Sequence, residues 1–547
     1  MTEFLIANMA PLMFAALVVF LLCGFPVAFS LAANGILFGL IGIELGLLHG
    51  ALFQALPERI FGIMANDTLL AVPFFTFMGL ILERSGMAED LLDTIGQLFG
   101  PVRGGLAFAV VFVGALLAAT TGVVAASVIS MGLISLPIML RYGYDHRLAT
   151  GVIAASGTLA QIVPPSLVLI VMADQLGRSV GDMYQGALLP GLILTGMYVG
   201  YVAVVAIFRP SLAPAMPLEA RTLREDDGAS GLRSLGVMFV VAVAGAWLFA
   251  SQLYRADAPR DELVVVSSMI GISIAFVIAI FNRVLGLGLL SRMAERVTFV
   301  LIPPLGLIFL VLGTIFIGIA TPTEGGAMGA VGALLMAVSR RRLSIPLMKQ
   351  AMDSTTKLSC FVIFILIGSS VFSLTFRGVD GDLWVEHLMT SLPGGQAGFL
   401  VAVNILVFIL AFFLDYFELA FIIVPLLAPV ADKLGIDLIW FGVLLAVNMQ
   451  TSFLHPPFGF ALFFLRSVAS EKVKTSSIYW GAVPFVIIQL IAVGAIIAFP
   501  ELVSYGDGGV KPAARQELNL DQLLDAASGG APVNTGNHDL MQQLQGN

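Results

Sequence analysis

Charged residues are scarce in this chain of 547 residues: Asp, Glu, Lys and Arg together make up 11% of it. A soluble globular protein carries about a quarter charged residues. Here 59% of the residues are hydrophobic and the mean hydropathy is +0.99. The composition excludes a string of soluble domains and indicates a polytopic protein embedded in a lipid bilayer. The net charge of −8 is spread along the chain, so no nucleic-acid partner is expected.

Cysteine and histidine are also rare, which excludes several kinds of site. The two cysteines, Cys23 and Cys360, each lie in or beside an apolar run, so neither a disulfide framework nor a cysteine-based metal site is expected. The five histidines are scattered, without a metal-ligand spacing such as HExxH. The first residues, Met-Thr-Glu-Phe-Leu, include no basic residue, and we expect the first apolar run to be a retained helix rather than a cleaved signal.

Long apolar runs are abundant and predict an all-α membrane protein with about twelve transmembrane helices. A crossing needs roughly 20 apolar residues. The predicted crossings are 4–22, 26–45, 68–83, 148–173, 186–208, 235–252, 263–282, 298–318, 322–338, 358–376, 439–465 and 479–499. Two further apolar segments, 104–140 and 397–431, are interrupted midway by Thr120-Thr121-Gly122 and by Asp415-Tyr416-Phe417-Glu418. Each is predicted to be a re-entrant hairpin, whose tip must be covered by protein or face a water-filled cavity.

The most informative feature is a pair of matched interruptions in apolar sequence. The first runs from Ser156-Gly157-Thr158 to Pro164-Pro165, and the second from Asn448-Met449-Gln450-Thr451 to Pro456-Pro457. The second Pro-Pro pair follows the first by 292 residues, and the same offset relates the preceding turns at Asp145 and Asp437. A Pro-Pro pair breaks a helix. A duplicated pair of broken helices points to the substrate site of a secondary transporter.

The distribution of basic residues predicts that the two interruptions have opposite orientations. With the N-terminus outside and the hairpins not crossing, 19 of the 27 basic residues fall inside, and Arg340-Arg341-Arg342 is the densest cluster. The positive-inside rule favours this topology. It places Asp145 inside and Asp437 outside, so the two copies form an inverted repeat, as alternating-access transporters require.

These patterns also predict the domain organisation. An integral membrane transporter is expected over residues 1–500, followed by a polar tail at 501–547 that is predicted to be disordered. Within the membrane part, the predicted units are a first repeat at about 1–208, an insertion at about 209–297 and a second repeat at about 298–500.

The residue types at the interruptions predict an ion- and substrate-binding centre. A broken helix frees carbonyl groups in one half and N–H groups in the other. Carbonyl and hydroxyl oxygens suit Na⁺, whereas N–H groups and a helix dipole suit a carboxylate. The predicted Na⁺ positions lie near Thr121, Gly122, Ser156 and Gly157, and near Asp415, Asn448 and Gln450. The whole candidate site is Thr120, Thr121, Gly122, Ser156, Gly157, Thr158, Pro164, Pro165, Asp415, Asn448, Gln450, Thr451, Pro456 and Pro457.

Several of these residues have a plainer interpretation. Proline in a transmembrane helix often only kinks it. Asp415 is either functional at membrane depth or a tip residue at the water interface. Asp145 and Asp437 are expected to cap the helices that follow, and Glu324 is either functional or a favourable charge in a first helical turn. His455 is either a proton carrier or a packed side chain.

At the level of motifs, residues 1–500 resemble the large permease subunit of TRAP transporters (tripartite ATP-independent periplasmic transporters), in the branch labelled mannitol/chloroaromatic. The motifs that carry the resemblance are Pro73-Phe74-Phe75-Thr76-Phe77-Met78-Gly79, Arg103-Gly104-Gly105-Leu106-Ala107, Gly143-Tyr144-Asp145, Ser156 to Ser166, Ala320-Thr321-Pro322-Thr323-Glu324 and Thr451 to Gly459. The family commonly has Ser-Gly-Ser at its first hairpin tip. This chain has Thr121-Gly122-Val123, so a side-chain ligand for Na⁺ at position 123 is ruled out.

The resemblance implies an elevator-type transporter in a bacterial inner membrane, in which a mobile domain carries the two hairpins. It implies a small four-helix membrane subunit and a periplasmic substrate-binding protein as partners, an organic acid as substrate, and Na⁺ as coupling ion without any other cofactor. The helix pair at 235–282 is an apparent addition to the family pattern.

Two other classes of function compete with this interpretation. One is a stand-alone Na⁺/carboxylate symporter of related fold, which needs no binding protein. The other is an intramembrane enzyme or a channel. An enzyme needs a catalytic constellation, and the sequence places none, whereas a channel needs a continuous polar stripe, and the interruptions here are localised.

Overall fold

The computed structural model describes residues 2–223, 225, 231–253, 260–456 and 459–503, except for the side chains of 120, 121, 253 and 260–262. Every regular element in this part of the chain is a helix, in agreement with the predicted all-α class. The α-helices are α1 Thr2–Ala7, α2 Met9–Leu22, α3 Val27–Glu44, α4 Leu56–Met64, α5 Ala71–Arg84, α6 Met87–Phe99, α7 Gly105–Thr121, α8 Val124–Arg141, α9 His146–Thr158, α10 Leu167–Leu176, α11 Val180–Phe208, α12 Leu232–Leu248, α13 Arg260–Leu285, α14 Arg292–Phe316, α15 Pro322–Ser339, α16 Ile345–Gly378, α17 Gly381–Thr390, α18 Gly395–Leu410, α19 Tyr416–Lys433, α20 Leu438–Met449, α21 Phe460–Val468 and α22 Thr475–Ala498. The 3₁₀ turns are Gly50–Ala55, Asp67–Leu70, Leu159–Gln161, Pro210–Leu212, Leu218–Ala220, Gln450–Phe453 and Pro500–Leu502, and Phe249–Leu253 is a π turn.

By length and hydropathy, eight described helices are able to cross a membrane, or ten if each of two bent pairs forms one span. Seven of the eight coincide with predicted crossings, and the eighth, α8, belongs to the first predicted hairpin. The predicted crossings 148–173 and 439–465 correspond to the broken helices α9–α10 and α20–α21, whose halves are too short to qualify singly. The first predicted crossing, 4–22, is divided at Asn8 into α1 and α2. The predicted tail beyond Val503 lies outside the described residues.

Short amphipathic helices are absent from the sequence-based expectation. α4, α6 and α17 were not predicted as helices. The reason is visible in α6, whose exposed face carries charges such as Glu89 and Asp93 while Leu91, Leu92 and Ile95 are buried. A search for long apolar runs passes over such a helix, because its hydrophobic residues repeat with helical periodicity rather than continuously.

Helix boundaries repeat along the chain with the offset found in the sequence. α8 begins at 124 and ends at 141, and α19 begins at 416 and ends at 433, so both boundaries are 292 residues apart. The same offset relates the first residues of α9 and α20. Asp145 accepts hydrogen bonds from the N–H groups of Arg147 and Leu148, and Asp437 accepts one from that of Trp440. Both predicted N-caps are therefore confirmed.

The two broken helices pack against each other in antiparallel fashion. α9, the first half of one, contacts α21, the second half of the other, and α10 contacts α20. The first half of each broken helix can lie beside the second half of the other only if the two helices run in opposite directions. The packing therefore fits the inverted orientation that the charges predict.

Turns predicted on one side of the membrane gather on one face. Among the turns predicted inside, the N–H groups of Gly104 and Asp145 donate to the carbonyls of Ala213 and Leu212. Among those predicted outside, Lys433 pairs with Glu386. The inserted helices α12 and α13 pack on each other and on α14.

Candidate functional site

The first helix interruption lies where the sequence predicted it. α9 ends at Thr158, a 3₁₀ turn continues to Gln161, and Pro164 and Pro165 fill the gap before α10. Neither proline carries an N–H group, so neither can donate the hydrogen bond that would extend α9. The interruption is almost completely buried, since Ser156 and Thr158 are 0% exposed.

Small residues let the first hairpin, α7–α8, approach this interruption closely. A Cβ atom added to Gly157 would lie 2.3 Å from Cγ2 of Val128, and one added to Gly114 would lie 2.5 Å from Cβ of Ser156. Gly122, at the hairpin tip, has φ of +58°, a conformation that glycine adopts readily. Its Cα hydrogen faces Leu167, whose Cγ atom would lie 3.0 Å from an added Cβ. The structure therefore places the tip against the first turn of α10.

Two other predicted residues at this tip are described only by their backbone. Thr120 and Thr121 are the last two residues of α7, and their side chains lie outside the described part of the structure. Gly122 ends the helix through its N–H group, which donates to the carbonyl of Ala118. Val123, extended, is the N-cap residue before α8.

The second interruption repeats this geometry in the other half of the chain. α20 ends at Met449, a 3₁₀ turn runs over Gln450–Phe453, and α21 begins at Phe460. Asn448, Gln450 and Thr451 are all at most 1% exposed. Pro456 lies in the gap, whereas Pro457 lies outside the described residues.

The two interruptions are joined by a hydrogen bond between equivalent residues. Nε2 of Gln450 donates to Oγ1 of Thr158 at 2.9 Å, and the two residues are 292 positions apart. The Thr158 hydroxyl in turn donates to the carbonyl of Ala155 at 2.8 Å. Thr158 and Gln450, predicted site residues from the two halves, thus meet in one buried centre.

Buried oxygen atoms without a hydrogen-bond partner in the described structure surround this centre. A buried polar group without a partner costs about 1–3 kcal/mol, so each such group calls for an explanation such as a bound ion, water or ligand. Hard cations prefer oxygen ligands. The unpartnered oxygens of the two interruptions are Ser156 Oγ, Gln161 Oε1, Asn448 Oδ1, Gln450 Oε1, Thr451 Oγ1 and Ser452 Oγ.

One residue of the centre was missed by the sequence analysis. Asn404, in the middle of the apolar helix α18, accepts two hydrogen bonds from Nδ2 of Asn448, at its backbone carbonyl (2.8 Å) and at its Oδ1 atom (2.9 Å). This pair fixes the Asn448 amide so that Oδ1 remains without a partner. A lone amide inside an apolar helix was the available signal, because such a group needs a partner at membrane depth.

Asp415 has a clear structural role at the tip of the second hairpin, α18–α19. Its Oδ1 atom accepts a hydrogen bond from the N–H group of Glu418 (2.7 Å), and Glu418 Oε2 accepts one from the N–H group of Asp415 (2.8 Å). This reciprocal capping box starts α19. Thr321 and Glu324 form the same motif at the start of α15, so Glu324 does lie in a first helical turn.

His455 lies in an aromatic cluster beside the second interruption. Its ring stacks on that of Phe412, with 4.1 Å between centroids, and meets the edge of Phe408 at 4.6 Å. Stacking of this kind stabilises a buried ring. It supports the interpretation of His455 as a packed side chain, although both ring nitrogens are buried without a hydrogen-bond partner in the described structure, so the proton carrier stays an alternative.

Comparison with known proteins places the chain among transporters. Residues 14–502 match the family model described as "Tripartite ATP-independent periplasmic transporter, DctM component". The C4-dicarboxylate TRAP transporter large permease protein DctM of Pseudomonas aeruginosa is 27% identical over 439 residues, which cover 80% of this chain and 86% of that protein. The ectoine TRAP transporter large permease protein TeaC of Halomonas elongata is 24% identical over 501 residues, covering 91% and 98%.

A likeness to a solved structure was also found. The crystal structure of the YdaH transporter of Alcanivorax borkumensis has a TM-score of 0.49 and 14% identity, over 84% of this chain and 91% of that one. The family match spans most of the chain and identifies a transporter component rather than an enzyme. Together with the apolar helices, it indicates a multi-pass protein of the bacterial inner membrane. The chain belongs to the DctM family, the large permease components of TRAP transporters.

Proposed function

We propose that this chain is the membrane subunit that moves substrate in a Na⁺-coupled, binding-protein-dependent TRAP transporter importing an organic acid. The observation that carries the proposal is the meeting of the two helix interruptions at Thr158 and Gln450, among buried oxygens that have no partner. Neutral oxygens at the end of a helix, where the dipole is negative, suit a monovalent hard cation.

The two proposed ion positions follow the two halves of the repeat. The first lies near Thr121, Gly122, Ser156 and Gly157, where the Ser156 hydroxyl oxygen has no partner. The second lies near Asp415, Asn448 and Gln450, and the amide oxygens of the last two have no partner. Of the other candidate residues, Thr158, Thr451, Pro164, Pro165 and Pro456 would then shape the site or hold the helix ends open, and Thr120 and Pro457 stay predictions.

The proposed movement is of the elevator type. In an elevator-type transporter one bundle moves as a rigid body against the rest and takes the binding site with it. Here each hairpin tip belongs to one half of the repeat, and the first lies against its helix interruption. Both hairpins and both broken helices would therefore move as one body that carries the ions and the substrate.

We further propose two protein partners, a small four-helix membrane subunit and a periplasmic substrate-binding protein. The isethionate TRAP transporter permease protein DctMQ of Oleidesulfovibrio alaskensis supports a separate small subunit. It matches 85% of this chain, yet the match covers only 62% of that protein, so DctMQ contains further sequence.

An anionic substrate is supported by the relatives' names, which specify C4-dicarboxylates and isethionate among others. Assignment to the mannitol/chloroaromatic branch stays a prediction. The decisive experiment is uptake into proteoliposomes that contain the chain together with the products of the neighbouring genes. We expect uptake with an inward Na⁺ gradient and none with a proton gradient alone. Uptake that is driven by a proton gradient and does not depend on the Na⁺ concentration would contradict the proposal.

The alternative is a stand-alone Na⁺/carboxylate symporter. The same proteoliposomes distinguish the two, because a stand-alone symporter takes up substrate when the binding protein and the small subunit are left out. We expect no uptake under that condition.

A further inference from the structure

Two adjoining cavities lie on the face predicted to be outside, apart from the centre described above. Their volumes are about 340 and 270 Å³, and Gln175, Arg377 and Pro425 line both. Helices α4, α10, α16 and α19 provide the walls. We call this recess the outer vestibule and define it by Arg59, Asp174, Gln175, Arg178, Ser373 and Arg377.

Three arginines line the outer vestibule against two carboxylates, Asp174 and Asp432, which leaves a net positive charge although basic residues are scarce on the side predicted to be outside. The predicted topology leaves 8 of the 27 basic residues outside. The structure describes the side chains of four of these, and three of the four, Arg59, Arg178 and Arg377, line the vestibule. The fourth, Lys433, pairs with Glu386. The positive-inside rule disfavours basic residues on the outside. Their presence at one recess therefore indicates a function there, such as binding an anion.

Two of these guanidinium groups have no partner in the described part of the chain. The side chains of Arg59 and Arg377 make no ion pair or hydrogen bond with any residue that the structure describes. The oxygens of Asp174 accept hydrogen bonds from side-chain amides, Nδ2 of Asn66 at 2.6 Å and Nε2 of Gln175 at 2.9 Å, rather than from an arginine.

The remaining arginine is only loosely paired. Arg178 lies 3.9 Å from Asp432, and the two side chains are 41% and 56% exposed. An exposed pair at that distance contributes about 0–1 kcal/mol, so it does not prevent Arg178 from binding a carboxylate.

Hydroxyl groups continue from the arginines toward the interior. Ser370, Ser373 and Arg377 line the cavity from α16, and their spacing of three and four residues places them on one face of that helix. With a rise of about 1.5 Å per residue, the row spans about 10 Å. Ser369, next to this row, donates to the carbonyl of Phe421 at 2.6 Å and so ties α16 to the second hairpin.

We propose that the outer vestibule binds a small carboxylate on its way to the buried centre, with Arg377 as its principal ligand and Arg59 beside it. A guanidinium group matches a carboxylate with two parallel hydrogen bonds. Small-molecule pockets start at about 300 Å³, so these cavities fit a small acid. The inference rests on the proposed import of an organic acid and adds the place where that acid is first bound.

The electrostatic part of the proposal is testable without transport. In a background in which Cys23 and Cys360 are replaced by serine, Ser373→Cys is reacted from outside with an anionic and a cationic methanethiosulfonate reagent. We expect the ratio of anionic to cationic rate to exceed that of the exposed control Ser391→Cys by about tenfold, the lower end of focusing by a charged cleft. Adding Arg59→Gln and Arg377→Gln should bring the two ratios together. Equal ratios in the unchanged vestibule, or no reaction with either reagent, would overturn the proposal.

Binding itself is measured by protection of the same cysteine. Acetate, succinate and benzoate serve as carboxylate probes, and erythritol is the neutral control of similar size. At twice its dissociation constant a carboxylate should slow modification about threefold, whereas erythritol should have no effect. Arg377→Lys should keep the rate ratio, because the charge remains, but lose protection, because the paired hydrogen bonds are gone. Lack of protection by all three acids would refute carboxylate binding.

A binding-protein contact is the competing use of these arginines. If the periplasmic binding protein without ligand protects Ser373→Cys while the three acids do not, the arginines dock that protein and the inference is wrong. If proteoliposomes show no Na⁺-driven uptake but the acids protect the cysteine, the proposed coupling fails while the vestibule stands. The two failures are therefore distinguishable.

Discussion

The side-chain amide of Gln450 donates a 2.9 Å hydrogen bond to the hydroxyl of Thr158, and these residues occupy equivalent positions in the two halves of the chain. Each belongs to the turn in which the first half of its broken helix ends. A contact between equivalent residues must lie close to the axis that relates the two halves. The hydrogen bond therefore joins the two interruptions at the centre of the repeat.

This contact predicts a specific effect of Thr158→Val. Valine keeps the shape but removes the acceptor, so the buried Gln450 amide loses its partner at a cost of about 1–3 kcal/mol. We expect a lower melting temperature in detergent and weaker Na⁺-driven uptake. Thr158→Ser, which retains the hydroxyl, should behave nearly as the unchanged chain. The double variant with Gln450→Leu should recover part of the stability, because neither polar group is then left alone. Strict additivity of the two changes would show that the hydrogen bond contributes nothing.

The interruptions were predictable from the sequence because proline acts locally. A Pro-Pro pair cannot continue a helix whatever surrounds it, and Asp145 and Asp437 cap the helices after them by contacts within three residues. The 292-residue offset then made each half support the interpretation of the other.

The pairing of side chains across the centre was not predictable, because it depends on how distant segments pack. Asn404 lies 44 residues from Asn448, and nothing local identifies them as partners. Helix α6 was not predicted for another reason: its charged residues interrupt the continuous apolar run by which a membrane span is identified. The outer vestibule combines arginines from three separate parts of the chain, a set that only the fold brings together.

The inverted orientation makes a prediction about accessibility. In a background without Cys23 and Cys360, Arg141→Cys and Lys433→Cys each introduce one thiol into an exposed turn. We expect a membrane-impermeant maleimide applied to intact cells to label position 433 and not position 141, with the reverse in inside-out vesicles. Labelling of both positions from the same side would refute the inverted repeat.

Asp415 allows its charge to be separated from its capping role. Asparagine caps a helix about as well as aspartate, so Asp415→Asn should leave the melting temperature unchanged. If the carboxylate lies near the second Na⁺ position, loss of its charge should raise the half-saturating Na⁺ concentration for uptake, about tenfold for each 1.4 kcal/mol of binding energy lost. Asp145→Asn is the matched control, since it also caps a helix but lies on the inner face. An unaltered Na⁺ titration in Asp415→Asn would mean that Asp415 is only a cap.

The last prediction concerns the open helix end at the first interruption. Replacing Pro164 and Pro165 with alanine removes the residues that keep α9 from continuing, and proline costs about 3 kcal/mol in a helix interior. The helix should therefore extend through Gln161, and the carbonyls of the turn Leu159–Gln161 should then form α-helical hydrogen bonds instead of facing an ion. We expect the variant to insert and purify normally, to melt at an equal or higher temperature, and to lose uptake. Pro190→Ala is the control, because Pro190 lies within the continuous helix α11, where its removal should leave uptake intact. A double variant that fails to fold would show that the prolines are architectural, and full uptake would show that the interruption is not part of the site.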